Sequence, residues 1–194
     1  LLGADRQVVA SAKCLTTPFD LSLGIGGALD QLPQPLLAQV DLVSLSTTLT
    51  TNSVVEGKGA PVCVLLAGYD AAQIKSSGLV ELLGADAIVA LPGGHDAGGF
   101  AVAPLDEAMA CAAIERQAPR VSAFAISASF GVRNPAHELQ LRAWVERLCD
   151  KPVTCGHELA SSLGAPRRAL TAALNARMVS FVKALIDAVR QTLA

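Results

Sequence analysis

Four glycines in seven residues bracket an imidazole and a carboxylate in Gly93-Gly94-His95-Asp96-Ala97-Gly98-Gly99. Glycines at that density permit positive φ and a close approach of backbone to a ligand, and His95 is the residue type whose proton moves near neutral pH. The segment reads either as a ligand-facing loop or as a tight connection with an exposed His-Asp tip. It matches neither G-x-x-x-x-G-K-[ST] nor G-x-G-x-x-G, and neither pattern occurs elsewhere in the chain. A second candidate is Ser46-Thr47-Thr48-Leu49-Thr50-Thr51-Asn52, whose hydroxyls and main-chain N–H groups can hold a carbonyl, carboxylate or phosphate where a strand gives way to a helix. The plainer reading is a hydroxyl cap followed by a solvated first turn.

Three further groups carry chemistry of lower specificity. His137-Glu138 and His157-Glu158 do not extend to H-E-x-x-H, which rejects a metalloprotease, and a partly buried histidine satisfied by a neighbour accounts for each. Cys149, Cys155 and His157 are close in sequence but match no zinc spacing, so no metal site is expected. Arg167-Arg168 follow Pro166 at the start of a helix, where the dipole disfavours cations. They either face an anionic partner or are solvated, and the solvated reading suits Arg168 while Arg167 has the freer guanidinium.

The elements that must position these groups alternate between strand and helix. Leu1-Leu2 and the β-rich run Val8 to Leu15 read as a hairpin remnant whose first strand is truncated. A helix starts after Thr16-Thr17-Pro18, carries Leu21, Ile25, Ala28, Leu29 and Leu32 at helical spacing, and is ended by Pro33 and Pro35. Gly24-Ile25-Gly26-Gly27 inside it reads as a close-packing surface. Strands are expected at Val40 to Leu45, Val62 to Ala67, Ala87 to Leu91, Phe100 to Val102, Val121 to Ser127 and Pro152 to Cys155. Helices are expected near Val54-Val55, over Ile74 to Leu83, over Leu105 to Gln117, and from Asn134-Pro135 with Leu141, Trp144, Val145 and Leu148 on one face. The last segment, from Pro166 to about Leu193, repeats Leu170, Leu174, Met178, Phe181, Leu185 and Val189 along a helix roughly 40 Å long, with Val179, Val182 and Ile186 on a second face. No repeat or linker interrupts the run, so residues 1–194 read as one α/β domain.

Composition agrees with a buried core. The 194 residues are 52% hydrophobic, 16% charged and 4% aromatic, with a net charge of −2 and a mean hydropathy of +0.45, which excludes disorder. Charged residues fall below the ~25% of an average domain, so either the chain buries more than usual or part of its surface is meant to be covered. Scattered Lys and Arg disfavour nucleic acid, and the absence of an apolar run near ~20 residues disfavours a membrane partner. Five cysteines, an odd set without C-x-x-C, fit a reducing cytoplasm. Leu1-Leu2-Gly3-Ala4-Asp5-Arg6 has no initiator Met and reads as a cut end.

Five segments taken in order, Lys13 to Pro18, Ser46 to Asn52, Pro92 to Asp96, Val132 to Glu138 and Arg168 to Ala176, resemble the N-terminal part of the hydantoinase/oxoprolinase A subunit over nearly the whole chain. The resemblance implies a mixed sheet flanked by helices, a partial ribonuclease-H-like or actin-like ATPase domain that lacks its first strand and ends in a long helix. It implies ATP-dependent opening of a cyclic amide, such as a hydantoin or 5-oxoproline, by phosphorylation of the ring carbonyl oxygen and hydrolysis. In the parent subunit His95 and Asp96 would lie near substrate as catalytic groups, and Thr47, Thr48, Asn52, Gly93, Gly94 and Arg168 would line the nucleotide or substrate cleft. ATP with Mg would serve the parent, with none expected on this chain alone, because the family's D-x-G-G-T-x-T-D phosphate loop precedes the strand at which the chain starts. The implied partners are the remainder of the A subunit, a B subunit or domain, and a small cyclic amide. Dimerisation through the Val179, Val182, Ile186 surface is also expected. A small-molecule kinase of the same superfamily and a non-catalytic scaffold are the alternative readings.

Overall fold

The computed structural model describes residues 1–17, 20–44 and 59–193. Two compact units form, one from Leu1–Thr51 with Phe181–Ala194 and one from Asn52–Ser180.

In the first unit, the N-terminal residues turn back through Gly3 to Arg6 and close an antiparallel bridge between Leu2 and Val8. The hairpin is thus present as a bridge, and the extended run beyond Val8 does not continue it as a strand. Helix α1 (Leu21–Leu29) is capped by Asp20, whose carboxylate accepts from the Ser22 amide, and not by the Thr16-Thr17 hydroxyls. Thr17 instead accepts from the Gly24 amide through Oγ1 at 3.1 Å. A Cβ on Gly24 would lie 3.0 Å from the Leu15 carbonyl and one on Gly27 would lie 3.0 Å from Cys14 Sγ, so the expected close-packing surface is real. Helix α2 (Gln34–Leu37) follows Pro33. Within the strand expected from Val40 to Leu45, the described residues 40–44 form none: Leu42 is 83% exposed, and among the described residues no strand pairs with the run. Apolar residues alone do not make a strand without a sheet to receive them.

The second unit is built on strands β1 (Val62–Ala67), β2 (Ile88–Leu91), β3 (Ala123–Ala128) and β4 (Val153–Cys155) in the order β2-β1-β3-β4. All three pairings are parallel. The antiparallel component is confined, among the described residues, to the bridges Leu2–Val8 and His95–Ala101. β1 and β3 are buried along their whole length, which explains why they read as unbroken apolar runs and not as alternating ones. Helices α3 (Ala71–Ser76), α4 (Leu79–Leu83), α5 (Glu107–Gln117), α6 (Ala136–Leu148), α7 (Gly156–Leu159) and α8 (Ala165–Leu193) connect and flank the strands.

Alternate residues of each strand serve two cores. Cys63, Leu65, Phe124 and Ile126 pack with Ile114 of α5 and with Leu141, Trp144 and Val145 of α6. Val62, Val64, Leu66, Ala123 and Ala125 pack with Leu79 and with Ala169, Ala172, Ala173 and Ala176 of α8. The sheet therefore meets the alanine face of the long helix, while Leu170 and Leu174 remain half-buried. Small side chains allow the close approach that leucines would prevent. α8 is long and apolar enough to cross a membrane by length and composition, with a window of mean hydropathy 1.4. Its first half is instead committed to the sheet.

Two expected elements are divided or shortened. The helix over Ile74 to Leu83 breaks into α3 and α4 at Gly78, whose φ of 75° cannot belong to an α-helix. The strand around Phe100 to Val102 is reduced to the single His95–Ala101 bridge.

Candidate functional site

Ala67, the last residue of β1, lies opposite Leu91 of β2 and Ala128 of β3, so the carboxyl ends of three strands are level. Open α/β sheets bind ligands outside that edge, between the strands where the winding reverses. Here the reversal falls between β1 and β3, and the loops after β1, β2 and β3 converge on it. The Gly68 amide donates to the Leu91 carbonyl at 3.0 Å, the Ser129 amide to the Ala67 carbonyl at 2.9 Å, and the His95 amide to the Ser129 carbonyl at 2.9 Å. Gly68 and Gly94 both have positive φ, and a Cβ on Gly94 would lie 3.0 Å from Gly68 Cα. Backbone contact this close is what the glycines supply.

His95 is only 2% exposed, so the reading as an exposed tip fails for it. Its ring lies on that of His137, with centroids 4.3 Å apart and planes tilted by 32°. His137 Nδ1 accepts from the Gly94 amide at 3.0 Å, which places the neutral ring's proton on Nε2. His95 Nδ1 is buried without a hydrogen-bond partner. Asp96 is exposed, and its Oδ1 accepts from the amides of Gly98 and Phe100 at 2.9 and 3.0 Å. That carboxylate organises the loop. Gly93 and Gly94 are buried at this strand edge, whereas Thr47, Thr48 and Asn52 lie outside the described residues.

A second polar group occupies the same edge at β3 and β4. Glu138, on α6 and fully buried, accepts from the Ala128 amide at 2.8 Å through Oε1, and from the His157 amide at 2.9 Å and His157 Nδ1 at 2.7 Å through Oε2. Arg168 of α8 donates from Nη2 to the Ala128 carbonyl at 2.7 Å and is 2% exposed, with Nε unpartnered. Both main-chain groups of Ala128 are thus held by side chains of opposite charge. The Tyr69 hydroxyl joins Ser127 Oγ and the Ala165 carbonyl, each at 2.8 Å, and burial raises its pKa to about 12.

Arg168 is buried at the strand ends and not solvated, whereas Arg167 is exposed. His137 and His157 are each satisfied by a neighbour, as the sequence reading had it. The reading missed Glu138 as the group that holds β3, α6 and α7 together. Its only local signal was a carboxylate one residue after a histidine on an otherwise apolar helix face.

Burial disfavours the charged form of both stacked histidines and lowers both pKa values; the charge of His95 adds to this for His137, while Asp96 and Glu138 oppose it for His95. A group whose folded pKa lies below its unfolded value of 6.5 stabilises the fold above that pH, and the stability is lost as pH falls through the folded value. Unfolding free energy from urea titrations is therefore expected to be level above 6.5 and to decline below it. His137→Gln should flatten the decline. An unchanged acid limb in that variant would remove the histidine pair as its cause.

Comparison with known proteins places this geometry among relatives. Residues 1–149 match the family model described as the hydantoinase/oxoprolinase N-terminal region. The chain is 31% identical over 198 residues to caprolactamase subunit alpha of Pseudomonas jessenii, across 89% of this chain and 28% of that one. It is 26% identical over 210 residues to the acetophenone carboxylase gamma subunit of Aromatoleum aromaticum, across 90% of this chain and 28% of that one. The chain thus spans less than a third of these curated relatives. The crystal structure of ATP-dependent caprolactamase from Pseudomonas jessenii superposes with a TM-score of 0.78 at 27% identity, over 99% of this chain and 32% of that one. Nucleotide-free acetone carboxylase, at 17% identity and a TM-score of 0.70 over 94% of this chain and 31% of that one, shares the fold.

Proposed function

Because the chain belongs to the hydantoinase/oxoprolinase N-terminal family, we propose that it is the N-terminal domain of an ATP-dependent cyclic-amide hydrolase subunit and contributes part of its substrate cleft. The observation that carries this reading is the likeness to an ATP-dependent caprolactamase over 99% of the chain. The position of the polar groups supports it, since His95, Arg168 and the glycine loop gather at the carboxyl edge of the sheet, where α/β enzymes present their sites.

The glycine loop by itself is not a phosphate cradle. The amides of Gly94, His95, Asp96, Gly98, Gly99 and Phe100 are each spent within the protein, so the glycine loop offers no row of donors to a phosphate. ATP with Mg is assigned to the parent subunit. What this domain supplies is a rigid polar edge. His95 is held by its main-chain bond to Ser129 and kept neutral by burial, so its ring can accept or donate one hydrogen bond at a substrate carbonyl or amide without bringing a charge. Asp96 acts through the loop it organises.

The partners proposed are the remainder of the A subunit, a B subunit or domain, and a small cyclic amide. Exposed Val182 and Ile186 on α8 are available to pack against them or against a second copy. Unpaired Cys14, Cys63, Cys111, Cys149 and Cys155 support a cytoplasmic setting. The likeness to a carboxylase gamma subunit favours a second reading, an ATP-dependent carboxylase subunit.

One assay separates the two readings. The full-length parent with its partner subunit, supplied with ATP and either a lactam or a ketone, is expected to release a ring-opened amino acid with the first and no carboxylated product with the second. The reverse outcome overturns the hydrolase reading. In that assembly His95→Asn is expected to lower kcat by about 10²–10⁴-fold with a smaller change in KM. Unchanged kcat in a folded variant would remove His95 from the chemistry.

A further inference from the structure

The Glu138 group contains more than a hydrogen-bonded carboxylate. Cys155 ends β4 and His157 lies one residue into α7, so the strand-to-helix junction turns both side chains toward the same point, and α6 brings Glu138 to it from the other side. One donor atom from each of the three residues lies within 4.8 Å of the others. Glu138 and Cys155 are fully buried, and the His157 side chain is 19% exposed.

We propose that Glu138 Oε2, Cys155 Sγ and His157 Nδ1 form a binding site for a zinc-class divalent cation. The donor set argues for that class: one carboxylate oxygen, one sulfur and one imidazole nitrogen suit zinc, whereas magnesium and calcium take oxygen ligands. The carboxylate is oriented in advance, because the Ala128 amide holds Oε1 and leaves Oε2 toward His157. Arg142 contacts both the Cys155 thiol, whose pKa burial raises to about 12, and Glu158, with which it forms an ion pair at 2.5 Å, so the ion has to displace the guanidinium from the sulfur as it takes the thiolate. On binding, Cys155 releases its thiol proton to solvent and the imidazole proton moves from Nδ1 to Nε2, so the ligands carry two negative charges toward the ion. Three protein ligands would leave a fourth position for water, and His157 is the ligand whose side chain reaches solvent.

Sequence spacing conceals the site. Cys155 and His157 are separated by one residue and Glu138 precedes them on another helix, a pattern that no linear zinc motif contains.

The test is a titration of the chelator-treated 194-residue chain with cobalt(II) alone, followed by absorption spectroscopy. One cobalt per chain is expected, with a near-ultraviolet thiolate-to-cobalt band and the visible intensity of a tetrahedral ion. Cys155→Ser is expected to abolish the band, His157→Gln to weaken binding by more than the ~10–100-fold that loss of an outer partner costs, and Cys149→Ser to leave both unchanged. Circular dichroism of each variant reports folding separately. A folded wild-type chain without the band overturns the proposal, as does a band that survives Cys155→Ser. Because the readout is spectroscopic, it stands or falls apart from any catalytic activity of the parent.

Discussion

Glu138→Ala is expected to remove about 3–5 kcal/mol of unfolding free energy, the scale of removing one member of a buried, hydrogen-bonded charge arrangement. The carboxylate answers three N–H groups at once, the amides of Ala128 and His157 and the His157 ring. Its loss strands two main-chain donors in the interior at about 1–3 kcal/mol each. It also leaves Arg168 at the Ala128 carbonyl without the negative charge that faces it across the same residue. Glu138→Gln keeps the volume but turns an NH₂ group toward N–H donors, so an intermediate loss is expected. Urea unfolding midpoints measure both. A loss below about 1 kcal/mol for the alanine variant would mean that water enters and satisfies the stranded groups, and that Glu138 does not hold these strand ends.

Gly68→Ala is expected to cost about 2–5 kcal/mol, by summing the penalty for a left-handed alanine and that for overpacking. Gly68 has φ 70°, and a Cβ there would stand 2.4 Å from the Gly93 carbonyl oxygen and 2.8 Å from Gly94 Cα. Both obstacles are backbone, so no side chain can swing aside. The strand-end loops would have to part, and with them the bonds that place His95. Gly78→Ala is the matched control. Its φ is 75° and nothing lies within 4 Å of the added carbon, so only the conformational penalty of about 1–2 kcal/mol applies. Equal thermal shifts for the two variants would show that the strand-end loops yield and that the glycine contact is not tight.

Much of the second unit was legible in advance because its signals are local. β1 falls on Val62–Ala67 as read, since an apolar run of that length bounded by Pro61 and Gly68 has few other ways to be buried. The apolar face of α6 at Leu141, Trp144 and Val145 follows from helical spacing, and those side chains are in the core. The long helix was equally plain, but the face it turns to the sheet was not. The sheet takes Ala169, Ala172, Ala173 and Ala176, with half-buried Leu170 packed beside them, because close approach to a sheet rewards small residues. The run at residues 40–44 shows the converse error, a strand-like composition that pairs with no strand among the described residues.

By itself, then, the amino-acid sequence determined the alternation of strand and helix, the family, and the glycine loop after β2 that carries His95. These depend on residue type and short-range spacing, which a linear chain displays. Only the tertiary structure decided which polar groups share a place. It buried His95 against His137, spent the Asp96 carboxylate on its own loop, drew Arg168 inward, and set Glu138, Cys155 and His157 around one point. The physical reason is that parallel strands level their carboxyl ends, so residues tens of positions apart become neighbours through register, and register leaves no trace in the spacing of the residues it joins.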